Sequence, residues 1–150
     1  MRKTIVAILA TVVAFLSAPA HGETPWITLG GISYHTSNRD KNYNEMNLGL
    51  GFEFQMTQTI RGTAGFYRNS HRNDSLYYGA VWLPLTYGRV KLGLAAELVS
   101  GYETKTNREP VKALLPVATV EWRNFGANLL FVPETKSNSG AVGLQFKVRW

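Results

Sequence analysis

Apolar and polar residues alternate along several segments of the chain. In the last of these segments, Val142, Leu144, Phe146, Val148 and Trp150 alternate with glycine or polar residues. Residues 48–56 and 90–98 show the same alternation. A period of two places successive side chains on opposite faces of a β-strand. Segments of about ten residues with this pattern are typical of strands that cross a membrane as part of a β-barrel.

Eight strands of this kind can be placed along the chain. We predict them at residues 26–35, 47–57, 60–69, 75–85, 88–101, 111–122, 124–133 and 140–150. The connections alternate between tight turns (57–59, 86–87 and 123) and longer polar loops (36–46, 70–74, 102–110 and 134–139). Bacterial outer-membrane barrels combine an even number of strands with short turns at one end and long external loops at the other. We therefore expect an all-β fold, an eight-stranded antiparallel transmembrane β-barrel with a narrow lumen.

The first twenty residues have the layout of a secretory signal peptide. Arg2 and Lys3 precede an apolar run over residues 5–16, and small residues follow at 18–20. The run is too short to span a bilayer as a helix. We expect cleavage after residue 20, or after residue 22. This leaves one domain over residues 21–150, which we place in the bacterial outer membrane with its long loops outside.

The amino-acid composition excludes several kinds of functional site. The chain has 150 residues and no cysteine, which excludes a disulfide scaffold, a Cys-ligated zinc site and a thiol nucleophile. No group of His, Asp and Glu has metal-ligand spacing, so we expect neither a metal nor another cofactor. The formal net charge of +6 includes the two cations of the signal peptide. The loops carry further cations that suit lipid phosphates, and we expect a monomer that binds no nucleic acid. These loop cations are Arg39, Lys41, Arg72, Lys105, Arg108 and Lys136.

Two chain segments place candidate catalytic residues at the same rim of the predicted barrel. His35 ends the first predicted strand, and Asn69 and Ser70 end the third. An imidazole can take or donate a proton, and a hydroxyl can act as a nucleophile or polarise an ester carbonyl. These residue types suit acyl transfer, although solvated polar residues are also common at a barrel rim. His71 is expected to point to the face opposite Ser70, because adjacent strand residues alternate. A loop could relax that rule, so His71 remains a minor rival to His35.

At these residues the sequence resembles a known family, the outer-membrane lipid A palmitoyltransferases of the PagP type. The resemblance runs from about Ser33 to Trp150. It implies transfer of a palmitoyl chain from an outer-leaflet glycerophospholipid donor to lipid A, the acceptor in lipopolysaccharide. The segments that carry it are Tyr34-His35, Tyr43-Asn44-Glu45, residues 47–52, residues 66–70, residues 82–85, residues 92–94, residues 114–118 and Phe131-Val132-Pro133.

The resemblance also implies roles for particular residues. The catalytic His of the family falls on His35, and its Asp-Ser pair falls on Asn69 and Ser70. An asparagine can orient an imidazole or hydroxyl but supplies no negative charge. Pro116 and Pro133 fall where the family admits lipid through the barrel wall, since proline cannot donate to a strand ladder. The helix that precedes the first strand in the family is missing, as is a proline near position 47 that would mark a second wall opening.

The lumen should contain an acyl chamber above a set of paired charges. Gly79 is the candidate floor of that chamber, and Ile27 and Leu29 line it if His35 points inward. The lumen charges should pair, because a lone buried charge is costly. They are Glu53, Arg61, Lys91, Glu121, Lys147 and Arg149.

Two other functions remain open at this stage. A lipid A deacylase is another small barrel enzyme with His and Ser at its rim, but its catalytic pair is expected close together on one strand. A non-catalytic structural or adhesive barrel would need neither His35 nor Ser70.

Overall fold

The strands close into a single antiparallel barrel, in which each strand pairs with its neighbour in the sequence and the first pairs with the last. The computed structural model describes residues 24–37, 41–102, 109–135 and 139–150. The expected signal peptide lies outside these residues, as do Arg39, Lys105, Arg108 and Lys136. Within the described ranges, no helix is both long enough and apolar enough to cross a membrane.

The all-β, eight-stranded antiparallel architecture predicted from the alternation is confirmed. The strands are β1 Trp26–His35, β2 Met46–Gln55, β3 Ile60–Arg68, β4 Asp74–Tyr87, β5 Val90–Val99, β6 Val111–Trp122, β7 Phe125–Val132 and β8 Ala141–Val148. One predicted turn was wrong. Thr86 and Tyr87 belong to β4 and pair with Lys91 and Val90, so the chain reverses at residues 88–89 instead. Gly88 makes this possible because it adopts a left-handed φ of 61°.

The outer surface of the barrel carries large apolar side chains. Aromatic residues lie toward both ends of this surface. They include Trp82, Tyr87, Trp122, Phe125 and Trp150 toward the tight turns, and Tyr34, Phe66 and Phe131 toward the long loops. Between them lie exposed aliphatic residues such as Leu48, Leu114 and Leu129. The side chains that the barrel buries face the lumen, as the alternation predicted.

A β-bulge in β1 changes which residues face the lumen. The pairing of β1 with both neighbours shifts between Thr28 and residues 30–31, and Gly30 has a left-handed φ of 71°. The bulge takes up one residue, so Thr28 and His35 are both buried in the lumen. Leu29 is 43% exposed on the outer surface, which corrects the expectation that it lines the chamber.

Five of the six predicted lumen charges form one network in the half of the barrel that ends in the tight turns. Lys147 Nζ contacts Glu53 and Glu121 at 2.9 and 2.8 Å, and Lys91 Nζ contacts Glu121 at 2.9 Å. Arg61 contacts the same two carboxylates. Arg149, the sixth, donates to the carbonyl of Arg123, and its guanidinium carbon lies 4.5 Å from the ring centroid of Trp26.

A neutral polar layer lies directly above these charges. Asn128 Nδ2 donates to Glu53 at 3.1 Å and to the amide oxygen of Gln145 at 3.0 Å. Gln145 is in turn 3.4 Å from the hydroxyl of Tyr77, which is 3.0 Å from Thr28 Oγ1. The charges and this layer fill the lower lumen and limit open space to the half below the long loops.

We expect Lys147→Met to lower the free energy of unfolding by about 3 kcal/mol, because it leaves two buried carboxylates short of a cation. Guanidinium titration of the protein folded in detergent micelles, followed by tryptophan fluorescence, measures this change. Lys91→Met is the matched control, because the Lys91 side chain is 30% exposed at the edge of the same network. Its expected cost is at most about 1 kcal/mol. Equal losses in the two variants would contradict the assignment of the network as a buried structural plug.

Candidate active site

A cavity of about 760 Å³ occupies the half of the lumen below the long loops. Its floor contains Tyr77 and Gln145 from the polar layer, together with Glu97. Its mouth contains His35, Ser70 and side chains from the loops. The volume is in the range of pockets that enclose a small ligand. The structure therefore brings His35 and Ser70, predicted from separate strands, to one cavity.

His35 is the last residue of β1 and is held tightly in the mouth. It pairs with Ala141 of β8, and only 6% of the residue is exposed. Its Nδ1 is buried and has no hydrogen-bond partner in the described part of the chain. The imidazole stacks on Tyr43 with ring centroids 4.0 Å apart and planes 16° apart. Burial and this stack are the contacts that restrain the ring.

An aromatic row continues from His35 across the mouth. Tyr43 also stacks on His71, with centroids 5.9 Å apart, and the rings of His71 and Tyr102 meet edge to face with centroids 5.4 Å apart. The hydroxyls of Tyr102 and Tyr67 are 3.3 Å apart. His71 lines the same cavity as Ser70, which corrects the expectation that it faces away. Strand β3 ends at Arg68, so strand alternation does not apply to the turn that follows.

Asn69 is fully buried, and its amide hydrogen-bonds to residues of the β3–β4 turn, to Ser75 and to Gly101. Its Nδ2 donates to Ser75 Oγ at 2.9 Å and to the carbonyl of Gly101 at 2.8 Å. Its Oδ1 accepts from the backbone N–H groups of His71 and Asn73 at 2.9 and 3.0 Å. The amide makes no hydrogen bond to His35. Asn69 therefore fixes the backbone around Ser70 and His71 rather than the imidazole.

Ser70 is placed by this turn and by the neighbouring loop. Its carbonyl accepts from the backbone N–H of Asn44 at 2.9 Å, which ties the β3–β4 turn to the β1–β2 loop. The residue is half-buried and lines the cavity. Its hydroxyl is thus carried on a turn with fixed backbone contacts on both sides, an arrangement that suits a group that must meet a substrate carbonyl.

The barrel wall is incomplete beside the cavity. The register between β6 and β7 runs from Trp122↔Phe125 to Val117↔Leu130 and stops there. Beyond this point β6 remains paired with β5 up to Val111↔Val99, and β7 remains paired with β8. Both separated edges line the cavity, the first with residues 111–115 and the second with Leu130, Val132 and Pro133.

The two predicted prolines flank this gap. Pro116 is the first residue of β6 beyond the ladder to β7, and Pro133 follows the end of β7. Pro133 lines the cavity, whereas Pro116 is on the exposed face of β6. A proline contributes no backbone N–H, so neither position can donate a hydrogen bond that would extend the ladder.

Gly79 does not line the cavity. It pairs with Thr63 and Glu97, and a Cβ atom at this position would collide with the backbone carbonyl oxygen of Ala96. The glycine is therefore needed for close approach of β4 and β5. The larger side chains of Tyr77, Glu97 and Gln145 form the floor instead. Sequence reasoning missed them, although strand alternation already placed Glu97 on the lumen face.

The fold and the site together define a class: a closed eight-stranded barrel with a ligand-sized cavity at its long-loop end. A buried histidine and a serine lie at the mouth of that cavity, and one side of its wall is unpaired. No protein-family model matches the chain, and no curated protein matches its sequence. Among the described residues, no group of three His, Asp or Glu side chains is arranged to hold a metal ion.

We expect Asn69→Asp to lower the free energy of unfolding by about 2 kcal/mol, because a carboxylate cannot donate to Gly101 and its charge would be buried. Asn73→Asp is the control. Its side chain is exposed although it also donates to Gly101, and we expect a change within about 0.5 kcal/mol. Chemical unfolding of both variants in micelles tests this. An Asn69→Asp protein as stable as the wild type and more active would instead assign Asn69 to catalysis.

Proposed function

We propose that this protein is an outer-membrane acyltransferase that moves a palmitoyl chain from an outer-leaflet glycerophospholipid to lipid A. The observation that carries the proposal is that His35 and Ser70 line one cavity that also reaches the gap between β6 and β7. A lipid substrate needs such an arrangement, because its acyl chain has to enter from the bilayer while its ester reaches polar groups at the rim.

The outer surface supports a membrane location. Exposed apolar residues surround the barrel, and aromatic residues lie toward both of its ends. This distribution matches the apolar band and aromatic girdles of outer-membrane barrels. With strand β1 running outward, the cavity mouth faces the exterior, where lipid A forms the outer leaflet. We propose a monomer, because each strand of the barrel pairs with two strands of the same chain.

The chemistry assigned to the site is an ester exchange. A hydroxyl of lipid A attacks the carbonyl carbon of the phospholipid ester and gives its proton to the imidazole of His35. The Ser70 hydroxyl donates a hydrogen bond to the carbonyl oxygen as negative charge develops there. The bond to the glycerol oxygen then breaks, and that oxygen takes the proton from His35. The products are acylated lipid A and a lysophospholipid.

The cavity would hold the acyl chain of the donor. Its walls include apolar residues of β6, β7 and β8, such as Leu115, Leu130 and Leu144. Exposed cations near the mouth, including Arg68 and Lys112, suit the phosphate groups of the acceptor. The likeness in Tyr34-His35, residues 66–70, residues 114–118 and residues 131–133 supports the same reaction.

Mass spectrometry of lipid A tests the proposed function directly. In cells that express the wild type, we expect a fraction of lipid A to gain the mass of one palmitoyl group. His35→Ala should abolish the gain, and Ser70→Ala should reduce it by at least about 100-fold if the hydroxyl stabilises the developing charge. Gln58→Ala, an exposed substitution at the opposite end of the barrel, is the control that should retain it.

The mass of lipid A also distinguishes the alternative functions, provided that all strains contain equal amounts of folded protein. Loss of an acyl chain from lipid A would assign deacylase activity. An unchanged lipid A profile in every strain would leave a structural or adhesive barrel.

The role of the wall gap can be tested apart from the chemistry. Pro116→Val gives β6 a backbone N–H where the ladder to β7 stops. One regained hydrogen bond of about 1 kcal/mol would lower the population of barrels with an open gap roughly fivefold. We expect transfer from phospholipid in vesicles to slow by that factor, whereas cleavage of a short water-soluble ester should be unchanged.

Pro84→Val is the matched control for this experiment, because Pro84 is an exposed proline in β4 near the tight turns. It should leave both rates unchanged. Equal slowing of both substrates by Pro116→Val would show that the substitution disturbs the site itself and not the path of the lipid.

A further inference from the structure

Among the described residues, no side chain hydrogen-bonds the buried Nδ1 of His35, although the carboxylate of Glu45 lies close enough to act on the imidazole electrostatically. In Ser-His-Asp sites, a carboxylate on one ring nitrogen fixes the tautomer and the direction of the other nitrogen. Here Nδ1 is buried without a hydrogen-bond partner among the described residues. The Asn69 amide is fully used by the β3–β4 turn, by Ser75 and by the carbonyl of Gly101. A base in this position needs some other contact to hold its ring.

Tyr43 makes that contact. Its ring lies nearly parallel to the imidazole, with planes 16° apart and centroids 4.0 Å apart. The Tyr43 hydroxyl is 2.8 Å from Ser139 Oγ. Tyr43 precedes β2 and Ser139 precedes β8, and these two strands flank β1 in the barrel. The hydroxyl pair therefore joins the two loops on either side of the strand that carries His35.

Tyr43 also contacts a second ring. His71 lies against it with planes 16° apart and centroids 5.9 Å apart, and the rings of His71 and Tyr102 meet edge to face. Together with Ser139, these side chains come from all four long connections of the barrel. The ring of Tyr43 is thus restrained by two ring contacts and at its hydroxyl, so it is itself held firmly enough to hold His35.

We propose that Tyr43 is the positioning residue of this site: by ring stacking, it holds the His35 imidazole in its reactive orientation in place of a carboxylate or amide partner. This inference rests on the proposed function. Stacking restrains the plane of a ring without requiring a buried charge, and a base that is free to rotate by tens of degrees loses most of its rate advantage.

The test compares Tyr43→Leu with Tyr43→Phe in the full-length protein folded in micelles. Tyr43→Leu removes the stack, and we expect kcat for acyl transfer to fall roughly 100-fold while KM changes little. Tyr43→Phe retains the ring and should keep kcat within roughly fivefold of the wild type, since it loses only one neutral hydrogen bond. Ser139→Ala, which frees the Tyr43 hydroxyl without touching either ring, should match Tyr43→Phe.

Proton NMR of the His35 side chain supplies a readout that does not depend on activity. A ring stacked at this distance shifts the imidazole protons upfield. The shift should be present in the wild type and Tyr43→Phe and absent in Tyr43→Leu. The His35 signals are assigned by their loss in His35→Ala.

Several results would overturn the inference. One is a Tyr43→Leu protein with wild-type kcat, and another is a loss of kcat with unmoved His35 signals. Should Tyr43→Leu fail to fold, Tyr43→Phe and Ser139→Ala decide, since a drop of about 100-fold in either would assign the effect to the hydroxyl and not to the stack. A wild type that transfers no acyl chain although its His35 signals show the stack would overturn the proposed function and this inference together. An active wild type whose kcat survives in Tyr43→Leu would overturn this inference alone.

Discussion

Glu53 and Glu121 hold Arg61 and Lys147 inside the barrel, in the half that ends in the tight turns. Buried charges of this kind must contact one another, because each would otherwise lose its hydration without compensation. Their side chains therefore extend across the narrow lumen and close it. The neutral layer above continues this closure up to Tyr77. The cavity lies on the long-loop side of these charges, so a ligand that enters it arrives through its mouth or through the gap in the wall.

The glycine bulge in β1 links the closed half of the lumen to the open half. A regular strand would place residues an odd number apart on opposite faces. Thr28 and His35 are seven residues apart, yet both face the lumen because Gly30 takes up one residue in the bulge. Without it, either Thr28 would leave the polar layer or His35 would face outward. Gly30 thus determines both the place of Thr28 in the polar layer and the place of His35 in the cavity mouth.

The alternation of apolar and polar residues was sufficient to predict the strands and most lumen charges, because both depend on period-two geometry within one segment. It was not sufficient for features that depend on contacts between segments. The bulge at Gly30 reverses the pattern for Leu29, and the turn after β3 turns His71 toward the cavity. The hydrogen bonds of Asn69 join residues that lie far apart in the chain. Tyr43 belongs to one of the motifs in the sequence, but its stack on His35 could not be predicted from that motif because it depends on how the chain folds around the rim.

The replacement of a carboxylate by aromatic contacts has a physical reason in this site. His35 is almost fully buried at a rim that we propose is surrounded by lipid. Glu45 acts on the imidazole only electrostatically and stays exposed to solvent. A carboxylate bonded to the buried Nδ1 would have to give up its hydration, and the lower lumen shows how many cations such a group requires. A tyrosine ring restrains the imidazole without that cost. Asn69 can then hold the turn that carries Ser70, and Tyr43 orients the imidazole base.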